Sequence, residues 1–258
     1  MQPQPQTQFV QAGGHQLEYV LYAAHQFNRP TLVFLHEGLG SVAMWRDFPA
    51  RVAQATGCRT LVYSRYGYGQ SDLLTQKFAP DYMHREAQQA LPELLMALDI
   101  DRALLIGHSD GGSIALIHAG SCARRLAGVI TLAAHVFVED LSIASIKAAK
   151  VAYQTTDLRS RLGRYHRDVD QTFWAWNDIW LDARFRTWNI EEYLPRITCP
   201  LLAIQGEDDE YGTLRQVETI VAQAPAARAL LLPDCRHSAH KDQADQTLAA
   251  VVEFLAAL

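Results

Sequence analysis

At 258 residues the chain sits at the upper edge of a single α/β domain, and its 49% apolar and 20% charged residues are the balance of a soluble globular protein. A formal charge of −5 without a basic block argues against a nucleic-acid partner, and no apolar run approaches the ~18 residues of a membrane span. Four scattered cysteines (Cys58, Cys122, Cys199, Cys235) with no Cys-x-x-Cys read as small core residues of a reduced, cytoplasmic protein.

Met1 to Gln8, rich in Gln and Pro and free of Lys and Arg, reads as a frayed tail and not a secretory signal. Gln16–Ala23 alternates like an antiparallel edge strand. Thr31–His36, Arg59–Ser64, Ala103–His108 and Val129–Ala133 are continuous apolar runs, the pattern of buried parallel strands, and Leu201–Gln205 and Ala229–Leu232 repeat it later. Met83, Ala87, Ala90, Leu91, Leu94, Leu95 and Leu98 recur at helical spacing, with Pro92 set to kink or restart that helix. From about Phe137 to Tyr193 the strand rhythm stops and Trp174, Trp176, Trp180 and Trp188 cluster; this predicts a helical insertion over one end of the sheet. A closing helix should bury Leu248, Val251, Val252, Leu255 and Leu258. The fold class expected is α/β: a mostly parallel central sheet flanked by helices. Residues 1–136 and 195–258 form its core, and residues 137–194 form an inserted cap.

The strongest chemical signal is Gly107-His108-Ser109-Asp110-Gly111-Gly112, which follows the apolar strand Ala103–His108 and opens an apolar helix. A tight strand-to-helix turn would strain Ser109 and raise its hydroxyl at the carboxyl end of the sheet, beside a helix start that can stabilise an oxyanion. The blander alternative is a glycine-rich turn with a capping serine. A serine nucleophile needs a base and the base an orienting acid. Downstream, the turn Gly206-Glu207-Asp208-Asp209 follows a strand, and Cys235-Arg236-His237-Ser238-Ala239-His240 lies between the last strand and the last helix.

These motifs, with the His36-Glu37-Gly38-Leu39-Gly40 loop and the turn at Gly67, Gly69 and Ser71, make the chain resemble the α/β-hydrolase superfamily. The likeness is to serine esterases and C–C hydrolases with a helical cap, from about residue 9 to the end. The resemblance implies Ser109, Asp209 (rather than Asp208) and His237 (rather than His240) as the catalytic triad. It also implies the backbone N–H groups of Gly38 and Asp110 as an oxyanion hole, and no cofactor or metal. His36 and His108 read as core histidines. The function expected is cleavage of a small carboxylic ester. A C–C hydrolase, lactonase or thioesterase with the same triad is the alternative, and a non-catalytic ligand receptor a distant one.

Trp176 and Trp180, on one helical face with Phe173, are candidates either for gluing the cap down or for lining a substrate pocket. Glu37 and Asp110 flank the two proposed donors. A bare carboxylate ~4 Å from an oxyanion would cost about 4 kcal/mol at an effective dielectric of 20, so each must be paired, protonated, turned away or matched by a substrate cation such as an amine. The simple expectations are helix-dipole stabilisation for Asp110 and an ion pair with Arg46 or Arg65 for Glu37.

Overall fold

A computed structural model describes residues 5–26, 28–121 and 126–258. Its strands are β1 (Gln8–Ala12), β2 (His15–Tyr22), β3 (Thr31–Leu35), β4 (Thr60–Tyr63), β5 (Ala103–His108), β6 (Leu126–Leu132), β7 (Leu201–Gly206) and β8 (Ala227–Leu232). They form one eight-stranded sheet in the order β1-β2-β4-β3-β5-β6-β7-β8. Pairing is parallel from β4 through β8 and antiparallel for β1 and β2. All residues of β3, β4, β5 and β7 are buried, which is why these strands are apolar without alternation.

The amino-terminal end differs from the expectation of an edge strand at Gln16–Ala23. β2 is not the edge: it pairs with β4 on one side and with β1 on the other. The edge is β1, which begins inside the expected tail. There Gln8 faces Tyr19, and the Tyr19 hydroxyl donates to Gln8 Oε1 at 2.9 Å. The overlooked signal is Gly13-Gly14, a two-residue hairpin turn in which both glycines have positive φ (61° and 76°). Residues 1–4 of that tail and Cys122 lie outside the described residues.

Helices α1 (Phe48–Thr56) and α10 (Ala244–Ala256) cover one face of the sheet, burying Phe48, Val52, Val251, Phe254 and Leu255. Leu258 of the expected closing stripe is instead 41% exposed, because the buried face runs through Ala250 and Phe254. On the other face lies a helix in three stretches: α2 (Tyr82–Arg85), a π turn at Glu86–Ala90, and α3 (Leu91–Ala97). Pro92 cannot donate a backbone hydrogen bond and its ring would clash one turn back; the π turn immediately before it absorbs both faults. Beside it runs α4 (Asp110–Ser121).

Between β6 and β7 the chain forms α5 (Asp140–Thr155), α6 (Leu158–Leu162), α7 (Val169–Trp180) and two 3-10 turns, Ala183–Thr187 and Glu191–Arg196. A single antiparallel bridge, Phe137 with Asn189, ties the two ends of this insertion. Asp168 caps α7 by accepting from the Gln171 N–H at 2.9 Å, and the helix buries Phe173, Trp176, Ile179 and Trp180 along one stripe. After β7 come α8 (Arg215–Gln223) and the short α9 (Ala239–Asp242).

Candidate active site

Ser109 is the single residue between the end of β5 and the start of α4, and its φ of +52° lies in the left-handed region that a non-glycine residue adopts only under constraint. The constraint is close packing. A Cβ on Gly111 would stand 2.0 Å from the Leu35 carbonyl oxygen, and one on Gly107 2.2 Å from the Gly111 carbonyl oxygen. Only glycine permits α4 to leave the sheet so abruptly. Asp110 opens α4, so its N–H has no acceptor within the helix and faces outward at the positive end of the dipole.

The carboxylate-rich turn after β7 aims Asp209, not the exposed Asp208, at the imidazole of His237. His237 Nδ1 donates to Asp209 Oδ1 at 2.8 Å, and the same oxygen accepts from the Tyr211 N–H at 2.8 Å. Burial works against the Asp209 charge, yet His237 and these N–H groups hold its pKa below the ordinary carboxylate value. Burial likewise opposes the His237 cation, but Asp209 raises its pKa above 6.5. The His237 main chain is gripped from both sides: its N–H donates to Glu210 Oε2 at 3.1 Å, and its carbonyl accepts from His108 Nε2 at 2.9 Å. Ser109 and His237 are each 7% exposed.

His36 is structural, as expected: Nδ1 donates to the Glu37 carbonyl at 2.7 Å and Nε2 accepts from the Arg65 N–H at 3.0 Å. His240 sits away from Asp209, packed on Trp45 and His108. Gly38 lies directly under Trp176, whose indole nitrogen would be 2.2 Å from a Cβ there. Trp180 packs edge-on against His135, which in turn lies beside His237. Phe173 stacks on Tyr153 of α5 at 3.7 Å. The aromatic stripe therefore divides: Phe173 binds the inserted helices to one another, while Trp176 lies on Gly38 and Trp180 on His135.

Neither flanking carboxylate is bare. Asp110 is buried, accepts from the Tyr82 hydroxyl at 2.7 Å and pairs with Arg65 at 3.8 Å. Burial raises its pKa against the pull of Arg65 and Tyr82. The partner of Glu37 is neither Arg46 nor the Arg65 guanidinium as an ion pair; it is Lys241, at 3.5 Å. Arg65 instead donates to the Glu37 carbonyl at 2.9 Å. Burial opposes ionisation of Glu37, but Lys241 and the neighbouring histidines hold its pKa well below the carboxylate range. With both charges matched from within, no substrate amine is needed to cancel them. Sequence reasoning missed Lys241, Tyr82, Glu210 and His135. Only Lys241, four residues beyond His237, and Glu210, next to Asp209, carried a positional hint.

Among the described residues, no group of three or more His, Cys, Asp or Glu side chains could hold a metal ion, and no helix is long and apolar enough to cross a membrane. Residues 32–251 match the alpha/beta hydrolase family, and the chain belongs to it. Human serine hydrolase BPHL is 24% identical over 201 residues, covering 73% of this chain and 66% of that protein, just under two thirds of its length. A proline iminopeptidase of Saccharolobus solfataricus is 24% identical, covering 94% of this chain and 89% of the relative. Among solved structures, the enol-lactonase of Burkholderia xenovorans LB400 superposes with a TM-score of 0.77 at 22% identity, covering 96% of this chain and all of that one (100%). That likeness establishes the fold.

Proposed function

We propose that this chain is a serine hydrolase that cleaves a small carboxylic ester through an acyl-enzyme on Ser109, without a cofactor. What carries the reading is a serine forced to φ +52° between strand and helix, next in sequence to His108, whose ring holds the main chain of a histidine already tied to a buried carboxylate at 2.8 Å. Ser109 Oγ attacks the ester carbonyl as His237 Nε2 takes its proton. Asp209 holds Nδ1–H and balances the imidazolium. The tetrahedral oxyanion is held by the N–H groups of Gly38 and Asp110, each worth about 3–4 kcal/mol by comparison with other oxyanion holes. On collapse the imidazolium proton passes to the leaving alkoxide, and water, deprotonated by His237, then releases the carboxylic acid and free Ser109.

Residues 137–194 serve as the cap. Trp176 and Trp180 form the ceiling over the reacting carbonyl, and apolar rings there suit an acyl group of modest size. The relatives' names span a peptidase and a lactonase, so the bond type is a matter for experiment. A fluorophosphonate should label the wild type and not Ser109→Ala. A panel of short and long acyl esters, lactones, acyl-thioesters and a dienoate should give its highest kcat/KM on a short ester. Labelling that survives Ser109→Ala, or a panel led by the dienoate, would overturn the reading.

A further inference from the structure

Behind the loop that carries Gly38, a small, partly open cavity is lined by His36, Glu37, Ser41, Trp45, His108 and His240 among others. It leaves about 10 Å³ for the centre of a water molecule, room for one water and nothing larger. Its wall is polar. Ser41 Oγ, Trp45 Nε1 and His240 Nδ1 are buried with no hydrogen-bond partner among the described residues. On the same wall, Glu37 Oε2 and His108 Nδ1 stand 3.8 Å apart, too far for a direct hydrogen bond.

His108 already spends its Nε2–H on the His237 carbonyl at 2.9 Å. Burial pushes its pKa down to about 4, so near neutral pH the ring carries one proton and Nδ1 presents a lone pair. Two acceptors, a carboxylate oxygen and an imidazole nitrogen, thus face each other with donors close by. We propose that this cavity binds one water, which donates to Glu37 and to His108 Nδ1 and so keeps His108 in the tautomer that anchors His237. The stereochemistry is satisfiable: a water about 2.8 Å from each of two atoms 3.8 Å apart fits an ordinary bridging geometry. Its two lone pairs then accept from two of the three partnerless groups. Lys241, already paired with Glu37, disfavours a second cation there, and Glu37 disfavours an anion. A ring nitrogen that accepts leaves the proton on the other, which is how a neighbour of the catalytic histidine is fixed in one tautomer.

Glu37 and His108 become positioning residues. They act on His237 through its main chain and do not touch the reacting atoms. A glycine at position 37 would leave His108 Nδ1 with nothing beyond it to orient the water. The activity part of this inference rests on His237 as the base; its structural part does not.

A high-resolution crystal structure of the full chain should show one ordered water within hydrogen-bonding distance of Glu37 and His108. Nitrogen NMR of the histidine rings should show His108 solely as the Nε2–H tautomer at neutral pH. In Glu37→Leu the tautomers should mix, and kcat on the best ester should fall about tenfold with KM little changed, the signature of misplaced chemistry rather than lost binding. Lys241→Met, which keeps the carboxylate, should retain the single tautomer. A dry cavity, or His108 found as the Nδ1–H tautomer in the wild type, would overturn the inference even if no variant folds. So would a Glu37→Leu protein with wild-type tautomer and kcat. Full activity in Ser109→Ala would sink the proposed function alone, leaving the water and the tautomer to be read as before.

Discussion

Asp110 carries a charge one residue from the proposed nucleophile, at the position whose N–H is proposed to meet the oxyanion. Its partner Arg65 is 2% exposed and Asp110 1%, so both charges are removed from water and each depends on the other. Removing one member of such a pair strands the other, typically at ~3–5 kcal/mol, whereas removing both costs far less. Arg65→Gln should therefore lower the melting temperature and kcat/KM sharply, and the double variant with Asp110→Asn should recover a large part of both. Recovery will be incomplete because Arg65 also donates to the Glu37 carbonyl and lies over the Tyr68 ring. Additive losses in the double-mutant cycle would show that Arg65 does not serve to cancel Asp110. At the proposed triad, the sign of the pH dependence follows from Asp209. It raises the His237 pKa, and a base must be neutral, so the acid limb of kcat/KM should fall above pH 6.5. In Asp209→Asn the limb should move to lower pH while the rate collapses. Asp208→Asn should change neither.

The elements that hold these residues make separate demands. Gly111→Ala asks for a methyl group 2.0 Å from the Leu35 carbonyl oxygen, so α4 must retreat from β3 and carry Ser109 with it. Loss of activity together with lowered stability is the expected result, read from fluorophosphonate labelling and a thermal melt. On α7, Phe173 and Trp176 are both buried, but only Trp176 lies on Gly38. Either change to Ala should cost ~3–5 kcal/mol of stability. Only Trp176→Ala should also alter the ratio of kcat/KM between short and long acyl esters. A shifted ratio in Phe173→Ala instead would place the pocket on the wrong side of the helix. The buried strands, the elbow and the helical insertion were all legible in the sequence, because each is written in local pattern: continuous apolar runs, glycines at 107 and 111, tryptophans at helical spacing. The edge strand β1 was not, since its five residues are mostly exposed and its one clear sign is the Gly13-Gly14 turn. The partners of Glu37 and Asp110 were not legible either. Lys241 lies 204 residues from Glu37, and Tyr82 lies 28 from Asp110, so only the packing of loops and helices brings them together.

Across the molecule, the site is walled by histidines kept neutral. His36, His108, His135, His166 and His240 are all buried, and burial is the leading cause that lowers the pKa of each below 6.5, to about 4 for His108 and His135. In the unfolded chain the same five rings take up protons at about pH 6.5. Above that pH both states are neutral and stability is unaffected. As pH falls below it, the unfolded state gains protons that the folded state refuses. Stability should then drop by up to ~1.4 kcal/mol per pH unit for each ring, until the folded-state values are reached. His237, with its pKa raised by Asp209, is protonated in both states by pH 5 and does not offset the loss. The carboxylates with lowered pKa, Asp209 among them, act only at lower pH, while Asp110 and Glu86, whose pKa burial raises, take up protons in the folded state and subtract from the net uptake; five histidines outnumber these two between pH 6 and 5. Denaturant titrations across that interval should give a slope corresponding to several protons taken up on unfolding, and His135→Gln should reduce it by about one proton. An uptake below about two protons at pH 5 would mean that the rings admit water and charge in the folded state, and that the closed, neutral wall around Ser109 opens readily in solution.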